Sequence, residues 1–156
     1  MRRLRSKVIG AVTLTGMALL TVEPPYAGEY DHPTKCTLET LSGQYLVAAN
    51  GALFPPAFGV PEQSVSAVAG YSIYNGDGTG TDWVTFTIDG VDAIGAVPTP
   101  TPKTYTLNGN CTGTKTVMNG PHFNIFVAVD GSALTETSTD KGFAVAAVMN
   151  RVGADR

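Results

Sequence analysis

The sequence predicts an all-β fold: a single small antiparallel up-and-down β-barrel of about eight strands with one disulfide. Three observations lead there. Pairs of Asn or Asp with Gly recur from Asn50-Gly51 to Asp130-Gly131, the segments between them alternate apolar and polar residues, and there are two cysteines, Cys36 and Cys111. Asn-Gly and Asp-Gly supply the positive φ angles of tight hairpins, because Gly has no side-chain clash and Asn or Asp tolerate that region.

The chain opens with Arg2, Arg3, Arg5 and Lys7, then runs uncharged and mostly apolar from Val8 to Val22 before Glu23, Pro24 and Pro25. A basic start followed by a short apolar run describes a secretory signal peptide. Residues 1–27 are read as that leader, cleaved after Ala27, although Pro25 suits the small-x-small rule poorly. The alternative, an uncleaved anchor, is opposed by length, since a spanning helix needs about 20 apolar residues. Residues 28–35 read as a flexible N-terminal segment and 36–152 as the barrel domain.

Thr37 and Thr40 suit a short helical turn near Thr37–Leu41. Strands are expected near 43–49, 64–74, 81–89, 92–97, 103–108, 112–118, 122–129 and 132–138, with a ninth at 142–151. In the second, Val65, Ala67, Ala69, Tyr71 and Ile73 read as the buried face, with Ser64, Ser66, Gly70 and Ser72 opposite. Val84, Phe86 and Ile88 alternate with Thr85 and Thr87 in the next. Phe123, Ile125, Val127 and Val129 form another inward set, and Phe126 with Ala128 suggests cover on both faces. Residues 143–149 are apolar throughout and read as a buried strand. Residues 54–63, with three prolines, are an irregular connector, and Pro98-Thr99-Pro100-Thr101-Pro102 is a stiff extended one. Consecutive hairpins favour a closed barrel, which removes exposed edges, over the alternative β-sandwich.

Without residues 1–27, Lys plus Arg falls from 10 to 6 and Asp plus Glu from 13 to 12, so net charge moves from −3 to −6. An acidic chain with scattered charges and no basic stripe is a poor partner for nucleic acid. No second apolar run is long enough to span a membrane. The expected location is periplasmic or secreted, where Cys36 and Cys111 would pair rather than stay free thiols. Two distant cysteines without nearby histidines do not make a zinc site.

Gly43-x-Tyr45, Gly76-Asp77-Gly78-x-Gly80, Tyr105-Thr106-Leu107-Asn108-x-x-Cys111-Thr112-Gly113-Thr114 and the Val129-Asp130-Gly131 hairpin follow Cys36 in order. In this the chain resembles small exported bacterial proteins, mostly of unassigned function, with a calycin-like or allene-oxide-cyclase-like barrel. The resemblance spans roughly residues 34–152 and implies a fold; it transfers no catalytic residue. Gly43-x-Tyr45 departs from the Gly-x-Trp that opens many lipocalins.

No catalytic residue, metal site or cofactor is indicated. His32 and His122 lack a recognisable nucleophile partner. The Asn75–Asp82 loop offers oxygens, but its spacing fails the calcium-loop rule and a glycine-rich hairpin explains it. The same glycines precede a strand, which rejects a dinucleotide fingerprint. Tyr45, Tyr71, Trp83, Tyr105 and Phe126 are candidates to line a pocket for a small apolar or aromatic ligand, against the plainer reading of a packed core. Glu136 joins them if it points inward; its ordinary place would be outward on a solvated strand. Three functions remain open: non-catalytic binding of a small apolar molecule, a cyclase or isomerase acting in the barrel, and an envelope or surface interaction protein.

Overall fold

The computed structural model describes residues 35–93 and 98–153. The leader read at 1–27, nearly all of the 28–35 segment and residues 94–97 of the expected 92–97 strand lie outside them.

Among the described residues nine strands follow a short 3-10 turn at Leu38–Thr40, and a second 3-10 turn, Ala57–Gly59, lies between the first two strands. The strands are β1 (Ser42–Leu53), β2 (Ser64–Asn75), β3 (Thr79–Ile88), β4 (Val91–Asp92), β5 (Thr101–Leu107), β6 (Thr112–Val117), β7 (His122–Val127), β8 (Ala133–Ser138) and β9 (Phe143–Val152). The sheet runs β2-β1-β9-β8-β7-β6-β5-β3, and β3 pairs back onto β2. That last pairing closes an eight-strand antiparallel barrel, with β4 added beside β3. The barrel expectation holds and the sandwich alternative does not.

The two ends differ. The turns after β2, β5 and β7 lie at one end, and all three use the same device. Asp77, Asn110 and Asp130 each accept a hydrogen bond from the backbone N–H two residues on, at 2.9, 3.2 and 2.9 Å. This Asx geometry is what the glycine-rich loop does with Asp77. Residues 35–41 lie across this end as a plug. Leu41 is fully buried, Tyr105 donates to the carbonyls of Leu38 and Leu41, and Arg151 donates to that of Thr40. Cys36 and Cys111 are bonded, with Cα atoms 5.1 Å apart, which fastens the plug to the β5–β6 turn. The link closes a separation of 75 residues.

The other end is a mouth. It is formed by residues 54–63, the β3–β4 hairpin, the β6–β7 turn and the β8–β9 turn. Asp89 and Gly90 have φ of 50° and 79°, the left-handed pair that the hairpin requires.

Four expectations change. Asn50-Gly51 is no turn: it sits inside β1, where Gly51 allows close approach to β9, and a Cβ there would lie 2.6 Å from Val145 Cγ2. Thr101 and Pro102 belong to β5, and the Pro102 carbonyl accepts from the Met118 N–H at 2.9 Å. The face of β2 is reversed: Ser64, Ser66 and Ser72 are buried, while Val65 and Tyr71 face out. Strand β7 is buried on one face only, with Phe126 outside.

Alternation places all charged side chains of the eight barrel strands inside. Asp82, Lys103, Lys115, Glu136 and Arg151 occupy inward positions, and no outward position on these strands carries Asp, Glu, Lys or Arg. The outer wall is mostly apolar on β9, β1, β2 and part of β3, with Gln44, Asn50 and Asn150 among its residues, and largely Thr on β5, β6 and β8.

Candidate functional site

The barrel interior is filled in layers from the plug upward. Nearest the plug, Tyr45 donates from its hydroxyl to the Gly131 carbonyl at 2.6 Å and receives Arg151 at 3.1 Å. The Tyr45, Tyr74 and Tyr105 rings stack edge-on, with centroids 5.4 and 5.1 Å apart. Burial raises the pKa of all three phenols, so each keeps its proton.

Above this lies a buried ionic layer. Lys103 Nζ is 2.7 Å from Asp82 Oδ1, also contacts Ser72 Oγ, and lies 3.5 Å from the Tyr74 ring centroid. Ser72 donates to the same Asp82 oxygen at 2.6 Å. Lys115 Nζ bridges the two carboxylates, 2.6 Å from Glu136 Oε1 and 3.7 Å from Asp82 Oδ2. It also lies 4.4 Å from the Phe123 ring centroid. Gly80, facing inward opposite Lys103, makes room for the long side chain, since a Cβ there would meet Lys103 Cε at 2.6 Å.

Two lysines and two carboxylates balance in charge, as burial demands. Their titrations are pulled apart. Desolvation pushes Asp82 up, but Lys115 and Lys103 outweigh it, and its pKa falls below the usual value. Desolvation wins at Glu136, against Lys115, and raises its pKa. Desolvation also wins at Lys103, lowering it from 10.5 to about 8 despite Asp82. Glu136 is 5% exposed, and its Oε2 has no hydrogen-bond partner among the described residues.

Above the ionic layer the barrel is hollow. A cavity of about 240 Å³ reaches from Asp82, Lys115 and Glu136 at its floor to the mouth. Its walls include Val47, Ala49, Val84, Phe123, Phe143 and Val145. Phe58 hangs over the mouth from the β1–β2 connector, with ring centroids of Phe86 and Phe143 both 5.2 Å away. The connector is tied down by the Phe54 N–H donating to the Gly142 carbonyl at 2.7 Å. Thr101 and Asn119 add polar groups higher in the cavity lining.

Of the six candidate ligand-lining residues, the structure brings only Glu136 to this cavity, and inward rather than on the solvated face. Tyr45 and Tyr105 point inward but belong to the plug layer, their hydroxyls already engaged. Tyr71, Trp83 and Phe126 occupy outward strand positions and are 45%, 41% and 53% exposed. Tyr71 and Trp83 are register partners on β2 and β3. His122 is exposed and paired with Asp140 at 3.0 Å.

Sequence reasoning missed Asp82, Lys103 and Lys115. Asp82 shares parity with Val84 and Phe86, and Lys103 with Tyr105, so the alternation carried the signal.

Among the described residues no cluster of three or more His, Cys, Asp or Glu could hold a metal, and no helix is long and apolar enough to cross a membrane. Comparison with protein-family models, curated proteins and solved structures gives no match.

Proposed function

We propose that this is an exported barrel protein that holds one small, mostly apolar molecule in the mouth half of its barrel without transforming it. The carrying observation is the contrast between the two halves: packed to the ionic layer below, hollow above, with apolar walls and a polar floor. That combination is what orients a small ligand by a few polar groups while burying its body. At about 240 Å³ the space equals about eight waters' share of liquid volume, which suits a single ring or a short chain. The Cys36–Cys111 bond supports export, since such bonds persist in oxidising compartments. The likeness to calycin-like or allene-oxide-cyclase-like barrels is part of this proposal.

Native mass spectrometry of the protein purified from its own periplasm or culture medium tests the reading. The expected result is an added mass that disappears on denaturation. A bare native mass that stays bare after incubation with small apolar compounds overturns it.

A second reading is favoured by the outer wall. Exposed Leu46, Val65, Tyr71, Trp83 and Val148 lie on neighbouring strands with no charge among them, the composition of an interaction surface. An interaction protein of the envelope would use this face, with the barrel as its support. The inward Glu136 also suits proton transfer in an isomerase-type enzyme, which turnover of a bound molecule in the native spectrum would reveal.

A further inference from the structure

Resting on the ligand-binding reading, we infer that the occupant is a neutral alcohol or phenol, whose hydroxyl hydrogen-bonds to the Glu136 carboxylate at the cavity floor.

The floor decides the class of ligand through what is already taken. Both ammonium groups of the ionic layer are engaged: Lys103 by Asp82 and Ser72, Lys115 by Glu136 and Asp82. An incoming carboxylate would find no cation to spare, and would bring an unbalanced charge into a neutral buried network. An incoming ammonium would meet Lys115 beside either carboxylate of the floor, Asp82 or Glu136. What is left is acceptor capacity. Glu136 uses Oε1 for Lys115, and Oε2 has no partner among the described residues. An unpaired buried acceptor favours a donor that needs no charge. The apolar walls of Val47, Val84, Phe123 and Val145 then take the rest of the molecule. An ether or a hydrocarbon of the same shape would fill the walls and leave the oxygen unpaired, so the site discriminates by the hydroxyl proton.

Isothermal titration calorimetry on the purified, disulfide-bonded protein tests this with three probes: 4-ethylphenol, its methyl ether 4-ethylanisole, and 4-ethylbenzoate. The phenol is expected to bind about tenfold or more tightly than the ether, and the benzoate more weakly than the phenol. In Glu136→Gln the amide oxygen takes the Lys115 bond and an N–H₂ replaces the open acceptor. The phenol and ether should then differ by less than about threefold. If that variant does not fold, the wild-type series decides alone. Equal binding of phenol and ether, or tighter binding of the benzoate, overturns the hydroxyl rule and leaves the pocket reading standing. Binding of none of the three overturns the pocket reading, and this inference with it.

Discussion

Lys103 shows how far burial and pairing pull against each other at one residue. Its ammonium touches Asp82, Ser72 and the Tyr74 ring, yet its pKa is lowered to about 8 because desolvation exceeds those attractions. In the unfolded chain the same group titrates near 10.5. Between the two values the unfolded state binds more protons, so unfolding free energy rises with pH. The cost of the buried charge is present below about 8 and is relieved above it. Above about 10 the opposite trend enters, because Tyr45, Tyr74 and Tyr105 have raised values and the unfolded chain loses those protons first. Urea unfolding from pH 8 to about 10 should therefore show stability rising in the wild type and flat in Lys103→Met. Residue identity was the least legible level in the sequence. Glu136 stands out in the sequence only through what it would do if inward, since acidic residues on strands are ordinarily outside. Asp82 reads as part of the glycine-rich hairpin, and Lys103 and Lys115 carry no motif, although the parity of all three matches that of inward neighbours.

At the scale of elements, most of the fold was readable from alternation and turn chemistry. Eight of the nine strands lie close to their expected positions, because turn-forming residues bound them; the positive φ falls on a glycine in most turns, on Asn119 after β6 and on Cys111 after β5. Strand β2 has the right position but the wrong face. Its outward side is the more apolar one, so hydrophobicity alone points the wrong way, and only the ionic layer explains why Ser72 faces in. Asn50-Gly51 failed because glycine serves close strand approach as readily as turns. The plug was half legible: the Thr37–Leu41 turn was expected, its role as the barrel's floor was not. That floor depends on the bond from Cys36 to Cys111. Reducing it should cost about 4 kcal/mol of unfolding free energy on the chain-entropy model. Urea titrations with and without reductant measure this, and amides of β5 and β6 next to the plug should lose hydrogen-exchange protection first.

For the whole molecule, the distribution of polarity is inside out along the wall. Charges of the barrel strands point inward, and turns, loops and the short β4 carry the rest among the described residues. Soluble domains ordinarily spread Lys, Arg, Glu and Asp over about a quarter to a third of their surface. Here the same chain presents an uncharged wall outside and a balanced ionic layer inside, with a hollow above it. Both the cavity and the wall could receive an apolar molecule, so where such a molecule goes is the direct test. Methyl-resolved NMR during titration with 4-ethylphenol separates them. Val47, Val84, Val145 and Met149 line the cavity, whereas Leu46, Val65 and Val148 are exposed on the wall. Binding in the cavity predicts saturable shifts of the cavity methyls with the wall methyls unmoved. Shifts confined to the wall, or none at all, would contradict it.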